Sequence, residues 1–146
     1  MIFAFVFSSI TANAADEIDL MVNGSHATVN GAVWENLVPH TSATGTGTFH
    51  SFLRVQNNGT ERGYNHGLST AQFDEKTSFT DPMLLSNVPT VEYEGAMYRE
   101  FQLDINENDD NISMDRFQVW LTNTENLLNY NISTYSFGAD ARKVYD

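Results

Sequence analysis

The residues from Asp104 to Asp115 read Asp-Ile-Asn-Glu-Asn-Asp-Asp-Asn-Ile-Ser-Met-Asp, and eight of these twelve side chains end in a carboxylate or an amide carbonyl. Calcium takes about six to eight oxygen ligands at about 2.3 to 2.6 Å and accepts irregular geometry, so a loop of mixed carboxylates and amides suits it. Asp104, Asn106, Glu107, Asn108, Asp110 and Asp115 are the candidate ligands. The carboxylates of Asp104, Glu107, Asp109, Asp110 and Asp115 repel one another unless a cation or an arginine neutralises them. The competing reading is a solvated hairpin tip, because Asn and Asp gather in turns, where they satisfy local backbone groups.

Spacing sharpens the ligand set. With Asp104 as the first position, Asn106 is third, Asn108 fifth, Asp110 seventh and Asp115 twelfth, which follows much of the EF-hand pattern. Asp109 stands where that loop needs glycine, and the flanks have a strand pattern instead of the amphipathic helices of an EF-hand. The ligand types therefore carry over and the helix-loop-helix fold does not.

The elements that must hold such a loop are strands. Short β-branched and aromatic segments alternate with Asn, Gly and Asp, and helical periodicity is weak. The pattern predicts strands over residues 19–22, 27–29, 32–35, 47–56, 90–93, 96–105, 116–122 and 132–137, with a further one around Lys143 to Asp146. Asn30-Gly31 and Glu94-Gly95 suit two-residue hairpin turns, and Asn58-Gly59 offers a third. Alternation from Met97 to Ile105 puts Met97, Arg99, Phe101, Leu103 and Ile105 on one face and Tyr98, Glu100, Gln102 and Asp104 on the other. Thr124 to Tyr130 has room for one helical turn capped by Thr124. The expected class is all-β, an antiparallel β-sandwich or jelly roll.

Other constellations are weaker. Glu61, Tyr64, Asn65, His66, Asp74 and Glu75 could form a second cation site or a sugar-binding edge, since a flat ring covers an apolar sugar face and amides take hydroxyls. Glu61 with Glu75 or Glu100 is the conceivable glycosidase pair, which needs two carboxylates about 5 to 10 Å apart. His26, His40, His50 and His66 form no zinc motif and read as surface or loop residues. No nucleophile elbow or phosphate-cradling glycine loop occurs. Arg54 and Arg99 fall in apolar strands, where an ion pair with Glu61, Asp74 or Glu100 is expected.

Composition bounds partners and compartment. The 146 residues fit one domain. A formal charge of −12 favours cations and disfavours nucleic acid or an anionic membrane surface. No cysteine is present, so disulfides and thiolate metal sites are excluded. The apolar run Ile2 to Ile10 followed by Ala12-Asn13-Ala14 has the form of a signal peptide, although no Lys or Arg precedes it; a buried strand or helix is the alternative. Residues 1–14 are then the signal, and 15–146 a single secreted domain, a fragment without membrane insertion of its own.

Several strings together carry a resemblance: Gly45-Thr-Gly47, Phe52-Leu-Arg-Val-Gln56, Gly63-Tyr-Asn65, Phe73-Asp-Glu-Lys76, Leu84-Leu-Ser86, Tyr98-Arg-Glu-Phe101 and Leu103-Asp-Ile-Asn-Glu107. Over Gly45 to Asp146 the chain resembles exported bacterial proteins of the PEP-CTERM class. That resemblance implies exosortase sorting and a place at the cell surface or in the extracellular matrix, and it brings no catalytic residue. The sorting signal of such proteins is absent here, as in a truncated chain. The expected role is adhesive or structural, with polysaccharide or other surface proteins as partners and calcium as the stabilising ion. A carbohydrate-binding module is the first alternative and a glycosidase-like enzyme the second.

Overall fold

The two clearest hairpins arise where a two-residue turn interrupts a β-rich run. Strand β2 (His26–Val29) turns through Asn30-Gly31 into β3 (Ala32–Glu35), and β4 (Thr90–Tyr93) turns through Glu94-Gly95 into β5 (Ala96–Gln102). Both turns have positive φ at each central residue, 49° and 81° in the first and 49° and 80° in the second. That is the type I′ geometry, whose twist matches that of the strands it joins.

The computed structural model describes residues 2–5, 18–36, 51–104 and 113–146. The backbone of Ile2–Phe5 forms β1, antiparallel to both β3 and β5, so that it links the two hairpins in the order β2-β3-β1-β5-β4. A third hairpin joins β6 (Val119–Thr122) to β7 (Ala141–Tyr145), with a bulge between Val119 and Trp120. Single 3₁₀ turns occupy Thr77–Phe79 and Leu85–Asn87. Among the described residues every strand pairing is antiparallel, and the fold is all-β. Among the described residues no helix is long and apolar enough to cross a membrane.

The chain gathers into two compact units. The first comprises residues 1–48 and 86–115, the second 49–85 and 116–146. Each unit holds one sheet among the described residues, so a sandwich is not visible within either one. The first unit is anchored by the buried run Ala32, Val33 and Trp34 on β3 and by Val88. Arg99 of β5 donates to the carbonyl of Val88 at 2.6 Å, where an ion pair was expected. A guanidinium with five donors can be satisfied by backbone carbonyls as well as by a carboxylate. The expected apolar face of β5 is only partly realised: Phe101 and Leu103 are half-buried, whereas Met97, beside the turn, is 62% exposed. Tyr98 instead sets its ring edge-on to Tyr93 across the hairpin.

Of the other predicted elements, residues 19–22 and 132–137 form no strand, although Asn131 and Ser136 make a single bridge. Thr124 caps a turn and no helix, its hydroxyl accepting from the Asn126 N–H. Gly59 takes a φ of 92°, but no named strand flanks it.

Glu94 is the one poor choice in the two hairpin turns. A non-glycine residue in the left-handed region costs about 1 to 2 kcal/mol, less for Asn, whose side chain bonds locally. Glu94→Asn is expected to stabilise the first unit by about 0.5 to 1 kcal/mol, visible as a higher melting temperature; a lower one would contradict the turn assignment.

Candidate binding cleft

The second unit is organised around a short antiparallel crossing of two extended segments. Val55 and Glu75 form the bridge, the Lys76 N–H donates to the Arg54 carbonyl at 2.8 Å, and the Gln56 N–H donates to the Asp74 carbonyl at 3.1 Å. Alternation along such a pair sends Arg54, Gln56, Asp74 and Lys76 to one face and Val55 and Glu75 to the other.

On the inner face Glu75 is buried, only 5% exposed. Its Oε1 accepts from the Tyr64 N–H at 3.1 Å and its Oε2 from the Phe73 N–H at 2.7 Å. Gly63 lies against it, so close that a Cβ there would meet Val55 Cγ1 at 2.6 Å and Glu75 Cγ at 2.8 Å. Asp74 and Glu61 are engaged likewise: Asp74 accepts from Asn57 Nδ2 and the Arg62 N–H, and Glu61 from the Asn57 N–H. The carboxylates singled out as a sugar edge, cation site or glycosidase pair thus hold the backbone of their own loop. Glu100, the third, lies on β5 in the first unit.

Beyond Glu75, aromatic rings fill the unit. Phe137 sits 5.0 Å from both Tyr64 and Tyr130 and 5.4 Å from Trp120, each edge-on. Two glutamines tie the rings together. Gln72 accepts from the Tyr64 hydroxyl and donates to the Tyr130 carbonyl, while Gln118 accepts from both the Tyr130 hydroxyl and Trp120 Nε1. His66, expected at the surface or in a loop, lies in a loop but is buried; its Nδ1 accepts from the Leu68 N–H, which leaves the neutral ring's proton on Nε2. At the other end Asp146 takes bonds from Gln118, Lys143 and Arg116. Partial burial would raise its carboxyl, but the bonds from Lys143 and Gln118 prevail and hold it below the usual range.

Burial, helped by the negative charge of Glu75, pushes the Tyr64 phenol up to about 12. A folded-state value above the unfolded one means that the stability it contributes is complete below about pH 10 and is lost as pH rises towards 12. Ultraviolet titration of the phenolates should therefore show a late step that Tyr64→Phe removes, with unfolding beginning in the same alkaline window. A titration completed near pH 10 in both proteins would contradict this environment.

Along this crossing lies an open cleft of about 310 Å³, lined by Arg54, Gln56, Lys76, Thr77, Ser78 and Phe79 and reached from the inner face by Glu75. The Arg54 guanidinium lies 5.2 Å from the centre of the Phe79 ring, which is 47% exposed. The rim is held by its backbone: the Phe79 N–H and the Thr80 hydroxyl both donate to the Lys76 carbonyl, and Ser51 Oγ donates to the Phe79 carbonyl. Arg54 therefore meets an aromatic face where the sequence reading gave it a carboxylate.

Of the candidate calcium ligands, Asp104 and Asp115 are described, and both are exposed. Asp115 accepts from Ser113 Oγ at 2.8 Å. Asn106, Glu107, Asn108 and Asp110 lie outside the described residues. Among the described residues no three His, Cys, Asp or Glu side chains gather as a metal site would require. The cleft was missed because its parts come from two segments, 54–56 and 75–79, that become neighbours only through the Val55–Glu75 bridge. No family model matches the chain, and neither a curated protein nor a solved structure does.

Proposed function

We propose that this chain acts outside the cell as a binding and structural component of a surface or matrix, with its acidic loop stabilised by calcium and its cleft engaging polysaccharide. The observation that carries the binding reading is the half-exposed Phe79 ring on an open cleft that also presents amide, hydroxyl and cationic groups. A flat ring flanked by such donors is the usual chemistry of sugar recognition, with the ring against an apolar sugar face and the polar groups on hydroxyls. The resemblance to sorted surface proteins and the apolar N-terminal run support the location. Cleavage after Ala14 would take β1 from between β3 and β5, so the mature sheet would consist of separate hairpins unless another strand fills the place.

A glycan array tests the binding reading: binding is expected for the parent protein and at least tenfold weaker binding for Phe79→Ala. No glycan bound, or equal binding by both, would end it. For the loop, millimolar calcium should raise the melting temperature and a chelator lower it, because an ion that binds only the folded state stabilises by mass action. The double substitution Asp104→Asn with Asp115→Asn should reduce that response. Identical melts with calcium and with chelator would remove calcium from the proposal.

A further inference from the structure

Arg54 and Lys76 stand directly opposite each other across the Val55–Glu75 bridge, joined by the Lys76 N–H to Arg54 carbonyl bond. Like charges in facing positions of an antiparallel pair destabilise it. The usual remedy would be a carboxylate, and the chain has 19 acidic residues against seven basic ones. Yet among the described residues the ion pairs that form are Arg116 with Asp146 and Lys143 with Asp146, and neither Arg54 nor Lys76 takes part in one. Glu75 also lines the cleft, but both of its oxygens are taken up by the backbone N–H groups of Tyr64 and Phe73. Asp74, opposite Gln56 on the same face, likewise gives its oxygens to Asn57 Nδ2 and the Arg62 N–H. Two cations thus face one open cleft beside an exposed ring, and among the described residues neither has an acid as its ion-pair partner.

We infer that the cleft selects acidic saccharide units, whose carboxylate or sulfate group sits between Arg54 and Lys76 while the sugar ring lies on Phe79. This deepens the polysaccharide reading and rests on it. Arginine suits the role because its planar fork meets a carboxylate or sulfate through two parallel bonds, while lysine adds a mobile point charge. The net charge of −12 does not forbid such a ligand. At physiological salt, charges more than about 8 Å away are largely screened, so the groups lining the cleft decide.

The test is calorimetric titration, in calcium-free buffer, with three oligosaccharides of matched length: an oligogalacturonate, a sulfated dextran oligomer and the neutral dextran oligomer. At least one acidic oligomer should bind ten times more tightly than the neutral one and weaken as salt rises; which one it is tells carboxylate from sulfate. Lys76 is exposed and faces Arg54, so Lys76→Gln should fold with a melting temperature no lower than that of the parent. It should lose tenfold or more in affinity for that oligomer, and Lys76→Arg should keep most of it. Equal binding of acidic and neutral oligomers would overturn the charge selection and leave the polysaccharide reading standing. Unaltered affinity in Lys76→Gln would overturn the placement of the anion, and binding of none of the three, with a blank glycan array, would remove both.

Discussion

Replacing Glu75 by alanine is expected to destabilise the second unit by about 3 kcal/mol. The carboxylate is buried and divides its two oxygens between the Tyr64 and Phe73 N–H groups, which belong to different stretches of chain. Hydrogen bonds to a charged acceptor contribute about 1.5 to 3 kcal/mol each, and removing the acceptor leaves two donors without a partner. Water reaching the vacated space recovers part of this, so the expected loss lies at the low end of the sum of two such bonds. Glu75→Gln should cost less and still be clearly destabilising, because an amide offers one oxygen and turns its own N–H₂ towards the second donor. Urea denaturation followed by circular dichroism measures both. A midpoint change equivalent to under about 1 kcal/mol for the alanine variant would mean that Glu75 is not the tie between these segments.

Gly63→Ala should be the second large loss, about 2 kcal/mol, through crowding. The added Cβ would lie 2.6 Å from Val55 Cγ1 and 2.8 Å from Glu75 Cγ. Alanine normally restricts the unfolded chain and gains about 0.4 to 1 kcal/mol where its backbone fits. Overpacking typically costs about 1 to 3 kcal/mol, and here neither neighbour can swing away. Val55 is β-branched with a stiff χ1, and Glu75 is held at both oxygens. The two substitutions should therefore not add. With Glu75 truncated, one obstacle is gone and Val55 can relax into its space, so Gly63→Ala should cost less than half as much in a Glu75→Ala background. Strict additivity would show that the three residues do not share one packed site.

The hairpins were legible because everything that specifies them is local. Asn30-Gly31 and Glu94-Gly95 announce positive φ, and the β-branched residues on either side announce extended chain. The predicted spans 32–35 and 90–93 coincide with β3 and β4 for that reason. The predicted strand over 132–137 failed because the same residues close on themselves in a turn between Asn131 and Ser136, with Tyr135 at a φ of 50°. Local propensity is a weak guide where no partner strand is supplied.

Side-chain roles were less legible. An arginine in an apolar strand advertises a need for partners but not which ones, and Arg99 found a backbone carbonyl while Arg54 found a ring. The letters for His66 and Glu75 suggest solvent, yet both are buried, since burial depends on what the rest of the chain brings near.

The acidic run from Asp104 to Asp115 is a property of the sequence itself: adjacent carboxylates and amides are available to a cation by proximity along the chain. So are the overall negative charge, the absence of thiols and the strand-rich pattern, because composition and period need no long-range contact. The cleft is of the other kind. Arg54 and Lys76 stand 22 positions apart in the chain, and only the pairing of Val55 with Glu75 makes them neighbours. That pairing closes a loop whose entropy cost must be met by non-local bonds and packing, and no local pattern encodes the outcome. Chain neighbours thus determined where a cation could bind, and tertiary pairing decided where an anion could.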